Sequence, residues 1–377
     1  MELSKIFRFQ SFVPFSPINN SPFKNQLLNH KPKATKLTIT AARKAPIEGV
    51  SDELNDIASY NLDFAYSRRT VRAAFTQVQQ QLDHCLFKDA PAGIRTEEWY
   101  ERNSRGLEIF CKSWMPEVGT PIKASVCFCH GYGDTCTFFF EGVARRFAAS
   151  GYAVFAMDYP GFGLSEGLHG YIPNFDDLVD DVIEHYTQIK ARPDMRELPR
   201  FLLGQSMGGA VSLKVHLKEP NNWDGVIAGD VLPPDTVMKV LTILSKVMPK
   251  AKLFPNQDLA ELAIREPSKR KLAVYNVICY EDNPRLRTGM ELLRITKEIE
   301  SQVEKVSAPL FILHGAADKV TDPLVSQFLY ENASSKDKTL KLYENGYHCI
   351  LEGEPDDRID AVHDDIVSWL DFRCSIS

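Results

Sequence analysis

Arg200-Phe201-Leu202-Leu203-Gly204-Gln205-Ser206-Met207-Gly208-Gly209 begins as a short apolar run and passes at once into a stretch of helical spacing that reaches Lys218. A brief run of this kind reads as a strand buried on both faces. A serine at the sharp bend between such a strand and a helix is held with its hydroxyl exposed. Side chains two positions to either side would strike the neighbouring backbone, so glycines belong at 204 and 208. Ser206 is therefore the candidate nucleophile. The bare pattern is weak, because Gly163-Leu164-Ser165-Glu166-Gly167 also matches it. That second match follows Pro160-Gly161 and leads into Leu168-His169-Gly170-Tyr171, not a helix, so Ser165 reads as a loop serine.

Working outward, residues 107–111 alternate, and short apolar runs recur at 124–129, 152–158 and 309–313. Helical spacing fills 137–150, 175–192, 208–218, 291–305 and 355–372. Strand and helix in alternation predict an α/β fold, a mostly parallel, doubly wound sheet. The early strands lack helices between them, and 237–276 is helical throughout where a sheet-building unit is expected. The latter is an inserted helical cap, placed at about 232–285. Its first helix sets Val237, Val240, Leu241, Leu244, Val247 and Met248 on one side. Val237, Leu241 and Leu244 are candidate substrate-binding residues. Such a face either packs inward or meets an acyl chain or a membrane surface. Ahead of the sheet, 69–87 spaces Val71, Ala74, Phe75, Val78, Leu82 and Leu86 at helical steps. Residues 47–97 therefore read as a helical N-terminal extension and 98–377 as the main domain.

A serine hydroxyl is a poor nucleophile until a base takes its proton and an acid fixes the tautomer of that base. Of the histidines after Ser206, His216 lies in the helix behind the elbow, His314 ends a buried strand, and His363 sits on the last helix. His348 differs, because it follows the strand-like 339–343 in the loop Asn345-Gly346-Tyr347-His348. Doubly wound sheets place reactive groups in loops at the carboxyl ends of strands. His348 is the predicted base. The preceding strand's loop offers Asp318 and Asp322; Asp322 precedes Pro323 and reads as a helix N-cap, so Asp318 is preferred. Donors for a developing oxyanion should be the backbone N–H of Met207 and that of Tyr132, in the loop His130-Gly131-Tyr132-Gly133-Asp134 after run 124–129.

The chain has 377 residues, 44% hydrophobic and 25% charged, which is globular composition. No run approaches the ~18 apolar residues of a membrane span. A net charge of −6 argues against a nucleic-acid partner and for a small molecule. The charge is uneven. Residues 1–46 hold eight basic side chains and one acid, a net of +7 that leaves −13 for the rest. This segment lacks an apolar signal core and reads as a chloroplast transit peptide, the alternative being a basic tail on a cytoplasmic protein. Eight cysteines form no C-x-x-C pair and no zinc-finger spacing with histidine, so they read as reduced, non-ligand residues, and the serine chemistry calls for no metal or organic cofactor.

Together His130-Gly131-Tyr132-Gly133-Asp134-Thr135, residues 158–167 (DYPGFGLSEG), 204–209 (GQSMGG), 314–322 (HGAADKVTD) and 347–356 (YHCILEGEPD) resemble the plant monoacylglycerol lipase and lysophospholipase branch of the α/β-hydrolase superfamily. The resemblance runs from about 98 to 370. It implies an α/β-hydrolase fold and a serine carboxylester hydrolase that releases fatty acid from monoacylglycerol or lysophospholipid through an acyl-enzyme. Its machinery would be Ser206, Asp318 and His348, with Tyr132 and Met207 as oxyanion donors. Caffeoylshikimate esterases are close relatives whose motifs look like HGYGSDT and GESMGG. A caffeoylshikimate-type esterase, or a binding or receptor protein on the same fold, is the alternative. The family usually carries about ten more residues after a strand like 224–231; their lack predicts exposed ladder groups in a shortened strand. His84 to Asp89 also matches an H-x-x-x-x-D pattern reported for acyltransferase relatives, but a pattern so loose arises by chance.

Overall fold

The computed structural model describes residues 45–229, 248–252 and 259–375. Among them each central strand divides its side chains between two apolar layers. The strands are β1 (Arg95–Arg102), β2 (Glu108–Met115), β3 (Ala124–Cys129), β4 (Tyr152–Met157), β5 (Arg200–Gln205), β6 (Gly225–Gly229), β7 (Leu310–Gly315) and β8 (Lys338–Tyr343). They form one sheet in the order β1-β2-β4-β3-β5-β6-β7-β8, antiparallel between β1, β2 and β4 and parallel elsewhere. This is the α/β-hydrolase fold. Cys127, Phe155, Leu202 and Ile312 enter one layer; Val126, Val154, Leu203 and Leu313 enter the other. Both faces are therefore covered, as near-continuous apolar runs require.

The helices in chain order are α1 (Asp52–Ala58), α2 (Ala65–Gln80), α3 (Cys85–Lys88), α4 (Phe139–Ala149), α5 (Phe175–Ala191), α6 (Met207–Lys218), α7 (Leu259–Ala263), α8 (Pro267–Ala273), α9 (Leu286–Glu300), α10 (Pro323–Asn332) and α11 (Asp356–Cys374). Residues of α5, α6, α9 and α10 fill the first layer. The second is built from α4 and α11 together with Val71 and Phe75 of α2 and Leu86 of α3. The N-terminal extension thus shares the core of the sheet, and the described residues make one compact unit. The sequence boundary at 97 falls inside β1. That strand, Arg-Thr-Glu-Glu-Trp-Tyr-Glu-Arg, escapes an apolar-pattern reading because it is an edge strand with mostly exposed side chains.

Among the described residues, 225–229, the expected exposure of ladder groups after 224 is not found; residues 230 and 231 lie outside them. All five residues of β6 pair with β5, from Phe201↔Gly225 to Gln205↔Gly229, and four pair with β7. Five residues suffice because β5 itself presents only six. The segment 1–44 and the cap residues Val237, Leu241 and Leu244 lie outside the described residues. Of the cap, α7 and α8 are described: Cys349 N–H donates to Ala263 O at the end of α7 (2.9 Å), and in the segment after α8 the Tyr280 N–H donates to Gly133 O (2.8 Å). No described helix is long and apolar enough to cross a membrane.

Candidate active site

Three strand ends converge on one point. Ser206 follows β5 and caps α6 with φ 54°, ψ −122°, a positive φ that a non-glycine residue adopts only under strain. The flanking glycines are sterically required. A Cβ on Gly204 would lie 2.2 Å from Gly208 O, and one on Gly208 would lie 1.8 Å from Cys129 O. The Ser206 N–H donates to Gly229 O at the end of β6 (2.9 Å), so the short strand still anchors the elbow.

The acid and base loops are joined by equally close backbone packing. A Cβ on Gly315, the last residue of β7, would meet Tyr347 O at 2.1 Å, and the Ala317 N–H donates to Gly346 O (2.8 Å). This contact brings His348 over Asp318. The Ser206 hydroxyl donates to His348 Nε2 (2.9 Å), and His348 Nδ1–H donates to Asp318 Oδ2 (2.7 Å). His348 and Asp318 are buried, whereas Ser206 is partly open. Asp322 takes the other role foreseen for it, capping α10 by accepting the Leu324 N–H at 2.9 Å.

Asp318 is held as an anion by its surroundings. Burial works against the charge, but bonds from His314, His348 and Thr321 outweigh it and keep the carboxyl far below the usual carboxylate range. Thr321 Oγ1 donates to Oδ2 (2.6 Å), His314 Nε2 lies 3.2 Å from the same oxygen, and the Val320 and Thr321 N–H groups donate to Oδ1 (2.7 and 3.1 Å). Thr321 is not among the residues the sequence singles out, and His314 stands there only as the end of a buried strand. The available signal was a hydroxyl three residues past the acid in a tight turn.

The loop after β3 lies against the elbow, since a Cβ on Gly131 would come within 3.4 Å of Ser206 Cβ. Neither the Tyr132 nor the Met207 N–H meets an acceptor among the described residues. Two unspent donors beside a hydroxyl that is bonded to an imidazole can stabilise an oxyanion formed on an acyl group attached at that hydroxyl.

Residues 120–356 match the family described as serine aminopeptidase, S33. The chain belongs to the serine aminopeptidase S33 family. It is 35% identical to the caffeoylshikimate esterase of Arabidopsis thaliana, over 74% of this chain and 87% of that one. It is 32% identical to the monoglyceride lipase of Homo sapiens, over 72% and 89% respectively. A solved soluble variant of monoglyceride lipase from Saccharomyces cerevisiae, crystallised with a substrate analogue, shares the fold with a TM-score of 0.64 at 23% identity, covering 75% of this chain and 98% of that one. This member of the S33 family is a serine hydrolase of carboxylic esters.

Other motif residues fall away from the site. Ser165 is buried in a loop, donating to Asp158 O (2.5 Å) and accepting the Phe110 N–H (2.8 Å). His84 caps α3: its Nδ1 accepts the Leu86 N–H, so Nε2–H donates to Glu352 O (2.9 Å). His216 accepts the Ser307 N–H (3.1 Å), and burial pushes its pKa down. His363 lies 3.2 Å from Leu351 O and is pushed down to about 3 by burial and the charge of Arg146. Behind the elbow, Gln205 Nε2 donates to Glu352 Oε1 (2.8 Å), and burial with the nearby charge of Asp134 pushes Glu352 up to about 7. Nothing in the sequence pointed to that pair.

Among the described residues, Glu101, Cys111 and His185 bring metal-ligand atoms within 4.8 Å of one another. Their carboxylate is already served by His185 Nδ1 (2.7 Å) and Trp99 Nε1–H (3.1 Å). Cys111 is on β2, three strand spacings or roughly 14 Å from β5. These residues have no part in chemistry at Ser206.

Proposed function

We propose that the chain releases fatty acid from monoacylglycerol or lysophospholipid by acyl-enzyme catalysis. The unbroken bond path from Ser206 through His348 to Asp318, with two unspent N–H donors beside it, is the observation that carries this reading. Ser206 Oγ attacks the ester carbonyl while His348 Nε2 takes its proton. The Tyr132 and Met207 N–H groups meet the oxyanion. The imidazolium, steadied by Asp318, returns the proton to the departing glycerol oxygen, and water repeats the cycle to free the acid. These side chains and the two amides carry every step, and the reaction needs no metal or organic cofactor. Kinship with monoglyceride lipases and the motifs HGYGDT and GQSMGG support an acylglycerol substrate.

The 35% identity to a caffeoylshikimate esterase favours a second reading, a phenolic ester as substrate. Purified protein offered monoacylglycerol, lysophospholipid and caffeoylshikimate in parallel should turn over the acylglycerol fastest. Ser206→Ala should abolish the release, and undiminished release by that variant overturns the reading. Faster turnover of caffeoylshikimate selects the second reading, and tight binding without turnover indicates a receptor. The apolar spacing of Val237, Leu241 and Leu244 supports their contact with the acyl chain and, through the same face, with a lipid surface. Leu241→Asp should then raise KM for long-chain esters and weaken flotation with liposomes. The basic charge of 1–46 supports import into chloroplasts, tested by the location of a fluorescent fusion.

A further inference from the structure

The matched family region begins at 120, yet α2 lies before it and carries a fully buried guanidinium, Arg68. Its bonds run to main-chain carbonyls. Nε–H donates to Gly163 O (2.6 Å), Nη1–H to Leu62 O (2.7 Å), and Nη2–H to Ser165 O (2.6 Å) and Gly167 O (3.3 Å). Burying a cation is costly, and here burial lowers the Arg68 pKa to about 10 although the charges of Asp158 and Asp63 oppose it. What it braces is the loop 158–167, which also bonds to itself through Gly161 N–H to Glu166 O (2.9 Å) and Ser165 N–H to Phe162 O (3.1 Å). Gly161, Gly163 and Gly167 all have positive φ, and a Cβ on Gly163 would sit 2.0 Å from Asp158 Oδ2.

That loop grips the oxyanion loop at both ends. Asp158, fully buried, accepts the Cys136 N–H (2.8 Å) and the Thr135 hydroxyl (2.9 Å) on Oδ1, and the Leu164 N–H (2.8 Å) on Oδ2. The Tyr159 N–H donates to His130 Nε2 (3.2 Å), and the two rings stack with centroids 3.9 Å apart. Tyr132 lies between His130 and Thr135. We propose that Arg68 is a positioning residue for the Tyr132 oxyanion donor, acting through loop 163–167 and the Asp158–Tyr159 pair. The N-terminal extension is then part of the catalytic apparatus of this chain. The inference rests on the serine-hydrolase reading above.

The test separates positioning from folding. Arg68→Met and Arg68→Lys are compared with the parent for kcat per active site, the sites being counted by titration with a fluorophosphonate. For positioning, kcat per titrated site falls between about 10- and 100-fold, short of the 10²–10³ lost when an oxyanion donor is deleted. KM changes less than threefold, and Ki for a trifluoromethyl ketone, whose adduct places an oxyanion in the hole, rises in proportion to the fall in kcat/KM. Thr135→Val cuts the link at its far end with Arg68 in place and should show the same signature even where the Arg68 variants do not fold. Fewer titratable sites with unchanged kcat per site, in any of the three, overturns the proposal. A parent enzyme that the fluorophosphonate does not titrate instead refutes the underlying serine-hydrolase reading.

Discussion

Replacing Asp318 with Asn keeps the shape of the acid while removing its charge, and the outcome follows from where the donors point. Oδ1 receives two backbone N–H groups, from Val320 and Thr321, which cannot turn away. The amide oxygen must occupy that position, so the NH₂ faces His348 Nδ1, Thr321 Oγ1 and His314 Nε2, where Oδ2 stood. His348 can meet an N–H at Nδ1 only by accepting it. Its own proton then moves to Nε2, 2.9 Å from Ser206 Oγ, where a lone pair is needed. A triad trapped in the wrong tautomer loses ~10⁴ in kcat, or ~5.4 kcal/mol of transition-state stabilisation. Asp322→Asn is the control, because asparagine caps a helix about as well as aspartate. It should change kcat less than twofold. Both variants are assayed for kcat and KM on a p-nitrophenyl ester, with circular dichroism to check the fold. Retention of more than a tenth of kcat by Asp318→Asn, or a larger loss in Asp322→Asn, refutes the assignment of the acid.

Glu352 is pushed up to about 7, above the ~4.3 of an unfolded chain. The folded protein thus keeps a proton that the unfolded chain gives up across pH 4.3–7, and stability from this group falls as pH rises through that window. Glu352→Gln should remove the loss, gaining about 3 kcal/mol on the parent between pH 4 and 8; parallel pH profiles in urea unfolding contradict this. Ser165→Ala should still be labelled by a fluorophosphonate, while unfolding about 1–3 kcal/mol more easily because the Phe110 N–H loses its buried acceptor. Loss of labelling would reopen the choice between the two serines. Gly208→Ala places a methyl 1.8 Å from Cys129 O, and should cost on the order of 3 kcal/mol; an unchanged melting temperature disproves the close packing claimed for the elbow.

The chemistry proved legible where it depends on local spacing. Strand, bend and helix around Ser206, the loop position of His348, and the cap role of Asp322 all follow from neighbours within a few residues. The partners of Asp318 did not, because whether His314 and Thr321 turn toward it depends on rotamers fixed by the fold. Arg68 was invisible for a related reason: it falls just before the helical spacing at 69–87, and its buried acceptors come mainly from the distant 158–167 loop. The charged β1 hid because an edge strand need not be apolar. Counting residues after 224 suggests a shortened strand, yet each described residue of β6, Gly225–Gly229, pairs with β5, since strand length is set by the neighbours.

The central claim is that the Ser206 oxygen is made reactive by His348. Treating the enzyme with a fluorophosphonate, digesting it with trypsin and weighing the peptides tests this directly. The account predicts the adduct on the fragment spanning 201–214, which contains Ser206, and none when His348 is replaced by Gln. An adduct on another fragment, or one that forms equally fast without the imidazole, contradicts it.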